Sequence, residues 1–372
     1  MKWKEVLEIK SGKNQKDVAD INGCYPIYGS GGIIGYSKEY LCPAGTTIIG
    51  RKGTINSPLY VNEPFWNVDT AFGLIPSQQL VSKYLYYFCC YFNFKALDKS
   101  TTIPSLAKRD LENIEMNVPP LDEQFRIVAR IEELFSELDK AVDTLKTTKE
   151  QLEVYRQAVL KDAFQEKENI IRLGDAIEKP RYGTSKKCDY PCTANSTAVL
   201  RIPNIDTKNG RVDSSDLKYA EFNEKELEQL SLKNGDILII RSNGSISLVG
   251  SSAIIRKCDT DKTYAGYLMR LRILNKEKLL PKYLLYYLSS PDARRYIESV
   301  AKSTSGVNNI NSQEISKLCV PLSSIEKQEK TVAEIEMKLS VYHEIEKSVD
   351  TVLVQADAMR QSILKQAFEG AL

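Results

Sequence analysis

The chain repeats itself, and that constrains its fold more than any single motif. Arg156-Gln157-Ala158-Val159-Leu160-Lys161-Asp162-Ala163-Phe164 recurs as Arg360-Gln361-Ser362-Ile363-Leu364-Lys365-Gln366-Ala367-Phe368, six identities in nine at an offset of 204. The offset runs back without a gap through Leu121-Asp122-Glu123-Gln124, opposite Ile325-Glu326-Lys327-Gln328, to Leu106 opposite Ile310. Further upstream, Lys83-Tyr84-Leu85 matches Lys282-Tyr283-Leu284 at 199, and Gly45 with Arg51 matches Gly235 with Arg241 at 190. An offset that changes in steps marks loops of unequal length between matched elements. Self-similarity on this scale predicts two copies of one unit, each a globular part followed by a helix. The boundaries fall at 1–120, 121–166, 167–322 and 323–372.

Both helical segments carry a heptad stripe. In the first it runs through Ile127, Ile131, Leu134, Leu138, Ala141, Leu145, Thr148, Leu152, Tyr155 and Val159. In the second it runs through Thr331, Ile335, Lys338, Tyr342, Ile345, Val349, Val352, Ala356, Met359 and Ile363, with Val332 and Leu339 able to cover the polar breaks. The first helix starts after Pro119-Pro120, which cannot lie in its interior, and Asp122 and Glu123 suit its positive end. Ser323-Ser324-Ile325-Glu326 fits a capping box for the second. Packed on each other as an antiparallel coiled coil, about 40 residues would make a rod of roughly 60 Å. Dimerisation of each helix with another chain is the alternative.

The globular segments mix short extended runs, such as Thr46 to Gly50 and Asp236 to Ile240, with turn signals such as Gly29-Ser30-Gly31-Gly32. Tyrosine-rich stretches, Tyr84 to Phe94 and Tyr283 to Leu288, read as core helices or as base-stacking platforms. The fold class is α+β. With 372 residues, 42% of them apolar, the chain has material for more than one core. No apolar run approaches the roughly 20 residues of a membrane helix. The charged, amphipathic start from Met1 to Lys10 is unlike a signal peptide, so a cytoplasmic protein with eight reduced cysteines is expected. Cys188 with Cys192 is the nearest thing to a metal pair, without a second pair at finger spacing, and no metal is expected.

Net charge is only +2, yet it is unevenly spread: +2 over 1–120 and +7 over 167–322, against −4 over 121–166 and −3 over 323–372. There is no Asn-Pro-Pro-aromatic sequence for adenine methylation, and Gly12-Lys13 is not followed by Ser or Thr in a phosphate loop. A self-sufficient methyltransferase or ATP-driven nuclease is not expected; a coiled-coil scaffold for proteins remains a rival.

Several stretches resemble the specificity subunits of type I DNA restriction-modification systems. They are Tyr25-Pro26-Ile27-Tyr28-Gly29-Ser30-Gly31-Gly32-Ile33-Ile34-Gly35, Ile49-Gly50-Arg51-Lys52-Gly53-Thr54, Leu200-Arg201-Ile202-Pro203-Asn204-Ile205 and Gly235-Asp236-Ile237-Leu238-Ile239-Ile240-Arg241-Ser242-Asn243-Gly244-Ser245. Pro119-Pro120-Leu121-Asp122-Glu123-Gln124 and the two Arg-Gln-x-x-Leu-Lys-x-Ala-Phe tails are similar to that family's helical spacers, of which Ser323-Ser324-Ile325-Glu326-Lys327-Gln328 is a loose version. The resemblance implies two DNA target-recognition domains, at 1–120 and 167–322, each reading half of a bipartite, asymmetric site in double-stranded DNA. Helical spacers would separate them and dock two methylation subunits, with restriction subunits joining through the complex. It also implies a chain without catalysis or cofactors of its own, in a complex using S-adenosylmethionine, ATP and Mg.

Among DNA-binding candidates, Arg51 and Arg241 lead, because a guanidinium after a strand can pair with guanine O6 and N7 or clamp a phosphate. Internal salt bridges are the alternative. Lys52, Gly53 and Thr54 flank the first, and Ser242, Asn243 and Ser245 the second; Asn243 could read adenine or hold a turn. Arg181 precedes a short basic loop, Lys186-Lys187, that could bind phosphates, and Asn308 lies in what reads as a polar loop after Ser303-Thr304-Ser305-Gly306. The seam residues expected to hold the spacers together are Ile131, Leu134, Leu138, Leu145, Leu152, Ile335, Tyr342, Ile345, Val349 and Val352.

Overall fold

In the computed structural model, which describes residues 1–166, 169–190, 196–304 and 306–370, a helix of 43 residues, Leu121–Ala163, starts directly after Pro119-Pro120. A second of 44 residues spans Ile325–Phe368. The chain divides into two units: Met1–Thr147 with Val349–Leu372, and Thr148–Ser348.

The first unit is built on a four-stranded antiparallel sheet in the order Leu7–Ser11, Ala71–Pro76, Thr46–Gly50, Leu59–Val61. The Thr-Thr-Ile-Ile-Gly strand is buried at every residue, as befits a central strand covered on both faces. Three further strands, Gly32–Ser37, Tyr25–Gly29 and Trp66–Asn67, form a second sheet whose hairpin turns at Gly32, φ +127°. Helix Ser82–Tyr91 buries Tyr84, Leu85 and Phe88 against Trp3, Phe72 and Leu74, so this aromatic stretch is core. The same core takes in Ile127, Val128 and Ile131 from the first long helix and Leu364 and Ala367 from the second.

The second unit has a six-stranded sheet in which Ile237–Ile240, buried throughout, lies between Ser252–Ile254 and Leu268–Leu271, and Arg181–Tyr182 forms one edge. Helix Pro281–Leu288 buries Tyr283, Leu284 and Leu288 in a core completed by Val159, Leu160 and Phe164 of the first long helix and Val332, Ile335 and Leu339 of the second.

The sequence repeat is matched by repeated contacts. Gln124 and Gln328 are both fully buried at a helix start. The Gln124 Oε1 accepts from Val81 N at 2.8 Å while Nε2 donates to Gln79 O and Pro119 O, both at 2.8 Å. The Gln328 Oε1 accepts from Leu280 N at 2.9 Å while Nε2 donates to Lys278 O and Ser323 O at 2.8 and 2.9 Å. At the helix ends, Phe164 packs edge-on against Tyr283 and Tyr287, with centroids 5.1 and 5.2 Å apart, and Phe368 against Tyr84 and Phe88 at 5.1 and 5.4 Å.

Within each unit the long helices run antiparallel. In the first, Arg360 pairs with Asp139 and covers Phe135, while Leu364 and Ala367 share a core with Ile127, Val128 and Ile131. In the second, the Tyr342 hydroxyl donates to Glu153 at 2.7 Å and Lys327 pairs with Glu166 at 2.8 Å.

The seam differs from the sequence reading in one of its two heptad positions. Ile131, Leu152, Ile335, Tyr342 and Val349 are buried, and Leu134, Leu138 and Leu145 are half-buried. Ile345 and Val352, however, are 41% and 43% exposed, and the stripe passes one residue later, through Glu346 and Leu353. The same shift puts Leu339 in place of Lys338, Arg360 in place of Met359 and Arg156 in place of Tyr155. Hydropathy alone favours Ile345 over Glu346. Partners reverse the choice, because Lys208 Nζ and the Tyr342 hydroxyl reach the Glu346 carboxylate at 2.9 and 3.4 Å. The expected capping box is also shifted: Ser324, not Ser323, caps the helix, its Oγ accepting from Lys327 N at 3.3 Å.

Candidate nucleic-acid interface

Two arginines leave the ends of the two buried central strands and are held alike. Arg51 N donates to Thr70 O at 2.8 Å, its Nη1 donates to Asp69 O at 3.3 Å, and its carbonyl accepts from Leu106 N at 2.9 Å. Arg241 N donates to Tyr267 O at 2.9 Å, its Nη1 to Gly266 O at 3.1 Å, and its carbonyl accepts from Ile310 N at 2.9 Å. Each guanidinium lies over an aromatic ring, Phe72 at 5.8 Å and Tyr182 at 4.5 Å. Among the described residues neither has a carboxylate within 4.0 Å, so the internal salt bridge considered from sequence is not formed. Carbonyls and π faces orient a guanidinium without neutralising it, and each arginine keeps unused N–H donors. Such a group can meet a bidentate acceptor, either a base edge or a phosphate.

In the first unit Lys52, Gly53 and Thr54 share one tight loop with Arg51. Gly50 permits its closure, since a Cβ there would stand 2.1 Å from Thr54 O. Gly53 has φ +81° and donates to Pro104 O at 2.9 Å, and Lys52 bridges to Ser105.

In the second unit a small sheet gathers most of the remaining candidates around Arg241. Ser242–Asn243 pairs with Val307–Asn309, setting Asn243 opposite Asn308. Asn308 is therefore a strand residue rather than part of a polar loop, because the chain folds back as a hairpin with Lys302–Thr304; Ser305 lies outside the described residues. The Asn308 Nδ2 donates to Gly244 O at 2.9 Å, and the Asn243 Oδ1 accepts from Ser245 N at 2.8 Å, so Asn243 holds the turn. Ser245 and Ser247 share a hydroxyl hydrogen bond of 2.8 Å, whereas Ser242 is buried.

The basic loop is split. Lys186 Nζ bonds Glu226 at 2.7 Å and Glu221 O at 2.8 Å and sits over the Phe222 ring, and its ammonium holds the Glu226 carboxyl below its usual range. Lys187 is 90% exposed, with Asp189 at 3.5 Å. Arg181 is exposed on its edge strand opposite Arg270.

Two residues of this surface escaped the sequence reading. Tyr182 underlies Arg241 and accepts from Ser312 N at 2.9 Å. Arg294 donates to Val249 O and Ser247 O at 2.6 and 3.0 Å, fixing the loop beyond Ser245. Both act across long chain separations and leave no local signature. Among the described residues no three His, Cys, Asp or Glu side chains stand close enough to hold a metal; Cys192 lies outside the described residues. No helix among them is long and apolar enough to cross a membrane.

Residues 1–154 match the family described as the type I restriction modification DNA specificity domain. The chain is 27% identical over 347 residues to the type I restriction enzyme EcoKI specificity subunit of Escherichia coli K12, covering 87% of this chain and 73% of that one. Residues 1–154 thus carry that family's domain, and over most of its length the chain is similar to type I restriction specificity subunits. The StySPI specificity subunit of Salmonella potsdam is 26% identical over 290 residues, covering 74% of this chain and 62% of its own. Among solved structures, a chain from work on complex assembly and conformational transition of the type I R-M system superposes with a TM-score of 0.77 at 16% identity, covering 100% of this chain and 97% of that one. The HsdS subunit of Thermoanaerobacter tengcongensis gives 0.55 at 16%, covering 100% and 96%. At such identities these likenesses speak to the fold alone.

Proposed function

We propose that this chain is the non-catalytic, sequence-reading subunit of a type I DNA restriction-modification complex, each unit reading one half of a bipartite, asymmetric site in double-stranded DNA. The observation that carries this is the duplicated arginine cradle: two guanidiniums, each positioned by a carbonyl and a ring and left without a carboxylate. A preorganised guanidinium loses little further freedom on meeting a base edge. Lys52, Arg181 and Lys187 lie on exposed backbone or strand edges, where phosphate contacts would add affinity without sequence choice.

In this reading the long helices set the gap between half-sites and dock two methylation subunits. Phe125, Val154, Met337, Val341 and Val354, each more than half exposed, are the apolar side chains such subunits would cover. Restriction subunits join through the complex. The chain itself needs no cofactor, and S-adenosylmethionine, ATP and Mg serve the partners. The setting is cytoplasmic.

Selection of a randomised duplex library by the purified chain, alone and with methylation subunits, tests the proposal. It expects enrichment of a two-part motif with a fixed gap. Retention of DNA without any motif would remove sequence reading as the function. A matched pair of heptads inserted after Leu145 and Val352 should change the preferred gap, and an unchanged gap would remove the helices as the ruler.

A further inference from the structure

The second unit contains a cavity of about 620 Å³ that the arginine cradle does not use. It lies against the second long helix and the turn Thr207–Gly210, within the size range of small-molecule sites. Five cationic side chains line it: Arg156, Lys208, Arg211, Lys282 and Lys347. Only Glu336 and Glu344 oppose them in the lining. All three lysines are engaged, Lys208 with Glu346 at 2.9 Å, Lys282 with Glu336 at 2.6 Å, and Lys347 with a partner of its own, which leaves the two arginines. Neither arginine has a carboxylate partner among the described residues; Arg156 donates only to Lys208 O, at 3.3 Å.

Two further polar atoms stand buried without a hydrogen-bond partner among the described residues. One is Nε2 of His343, the chain's single histidine, in the cavity lining. The other is Oγ of Ser252, a residue 4% exposed, which lines a second recess of about 310 Å³. That recess shares Arg156, Thr207, Lys208 and Ser289 with the first. Buried polar atoms are ordinarily paired, and a surplus of positive charge gathered in a concave site calls for an anion.

We propose that this cavity binds a small phosphate-bearing ligand, its phosphate oxygens taken by Arg156 and Arg211 and its further polar atoms by His343 and, through the adjoining recess, Ser252. A guanidinium pair suits the geometry of phosphate, and the net charge of the lining matches a multiply charged group better than a carboxylate.

The single histidine makes the test direct. Inorganic pyrophosphate is titrated into the full chain while the ring resonances of His343 are followed by NMR, with chloride at equal ionic strength as reference and calorimetry for affinity. Saturable displacement of the His343 signals by pyrophosphate, not chloride, is expected. Arg211→Gln, an exposed side chain whose loss leaves the core intact, should weaken binding by at least about tenfold, while Lys225→Gln, the same charge change on an exposed side chain outside the cavity, should leave it within about twofold. Equal responses to the two salts, or equal losses in the two variants, would overturn the site. Displacement of bound pyrophosphate by a nonspecific duplex would instead give the cavity to the DNA backbone and overturn the small-ligand assignment.

Discussion

The two units share their joints and differ in what lies between them. Each fixes a long-helix start with a buried glutamine, anchors a helix end with a phenylalanine on paired aromatics, and joins the tyrosine helix to its long helix by one ion pair, Lys83–Glu132 at 2.5 Å and Lys282–Glu336 at 2.6 Å. Beyond the arginine the halves diverge. Where the first unit has a short 3-10 turn, Phe94–Leu97, the second has helix Pro291–Val300 and the hairpin that carries Asn308. Frame contacts are thus duplicated and the surroundings of the cradle are not. Under the proposed function, that division would let one architecture serve two different half-sites.

Substitutions at matched positions would break or sharpen the comparison. The largest effect should follow removal of the helix-end rings. Phe164→Ala empties a site only 3% exposed and should cost about 4 kcal/mol, whereas Phe368→Ala, half-buried, should cost about 2 kcal/mol. Denaturant unfolding followed by hydrogen exchange would assign each loss to its unit, and a loss in the wrong unit would contradict the assignment of the helix ends. Next, Gln124→Leu and Gln328→Leu each strand a backbone donor and two carbonyls, at about 3 kcal/mol apiece; clearly unequal values would mean that the joints match in geometry but not in energy. Arg51→Ala and Arg241→Ala should leave folding nearly unchanged, weaken DNA binding by about 1–3 kcal/mol and relax base preference in one half-site each. Uniform weakening across all sequences would make the cradle a phosphate clamp. The smallest effect is expected at the basic loop. Lys187→Gln should reduce the salt slope of binding by about one, while Lys186→Gln, already engaged by Glu226, should barely move it.

Much of the frame was legible in sequence because it is built from period and repetition. Pro119-Pro120 set the helix start, and the shared heptad anchors Ile131, Leu152, Ile335, Tyr342 and Val349 fell on the buried face. The other heptad position lies one residue later than periodicity suggests, and at Glu346 hydropathy could not reveal it, since the partner that makes Glu346 buriable, Lys208, comes from a distant loop. The arginines could be proposed from strand-end position alone. Their cradle could not, as Tyr182 reaches Arg241 only through edge-strand pairing. Lys186 read as free charge because its acceptor, Glu226, lies 40 residues away on a separate helix.

The placement of Phe368 also bears on the order in which the protein can be made. The first unit closes only when Leu364, Ala367 and Phe368 reach Tyr84 and Phe88, whereas the second is one unbroken stretch, Thr148–Ser348. Synthesis at about 5–20 residues per second separates Tyr84 from Phe368 by roughly 15–60 s. During that interval the amino-terminal core stands unfinished beside a nascent chain, and the later-made unit can mature first.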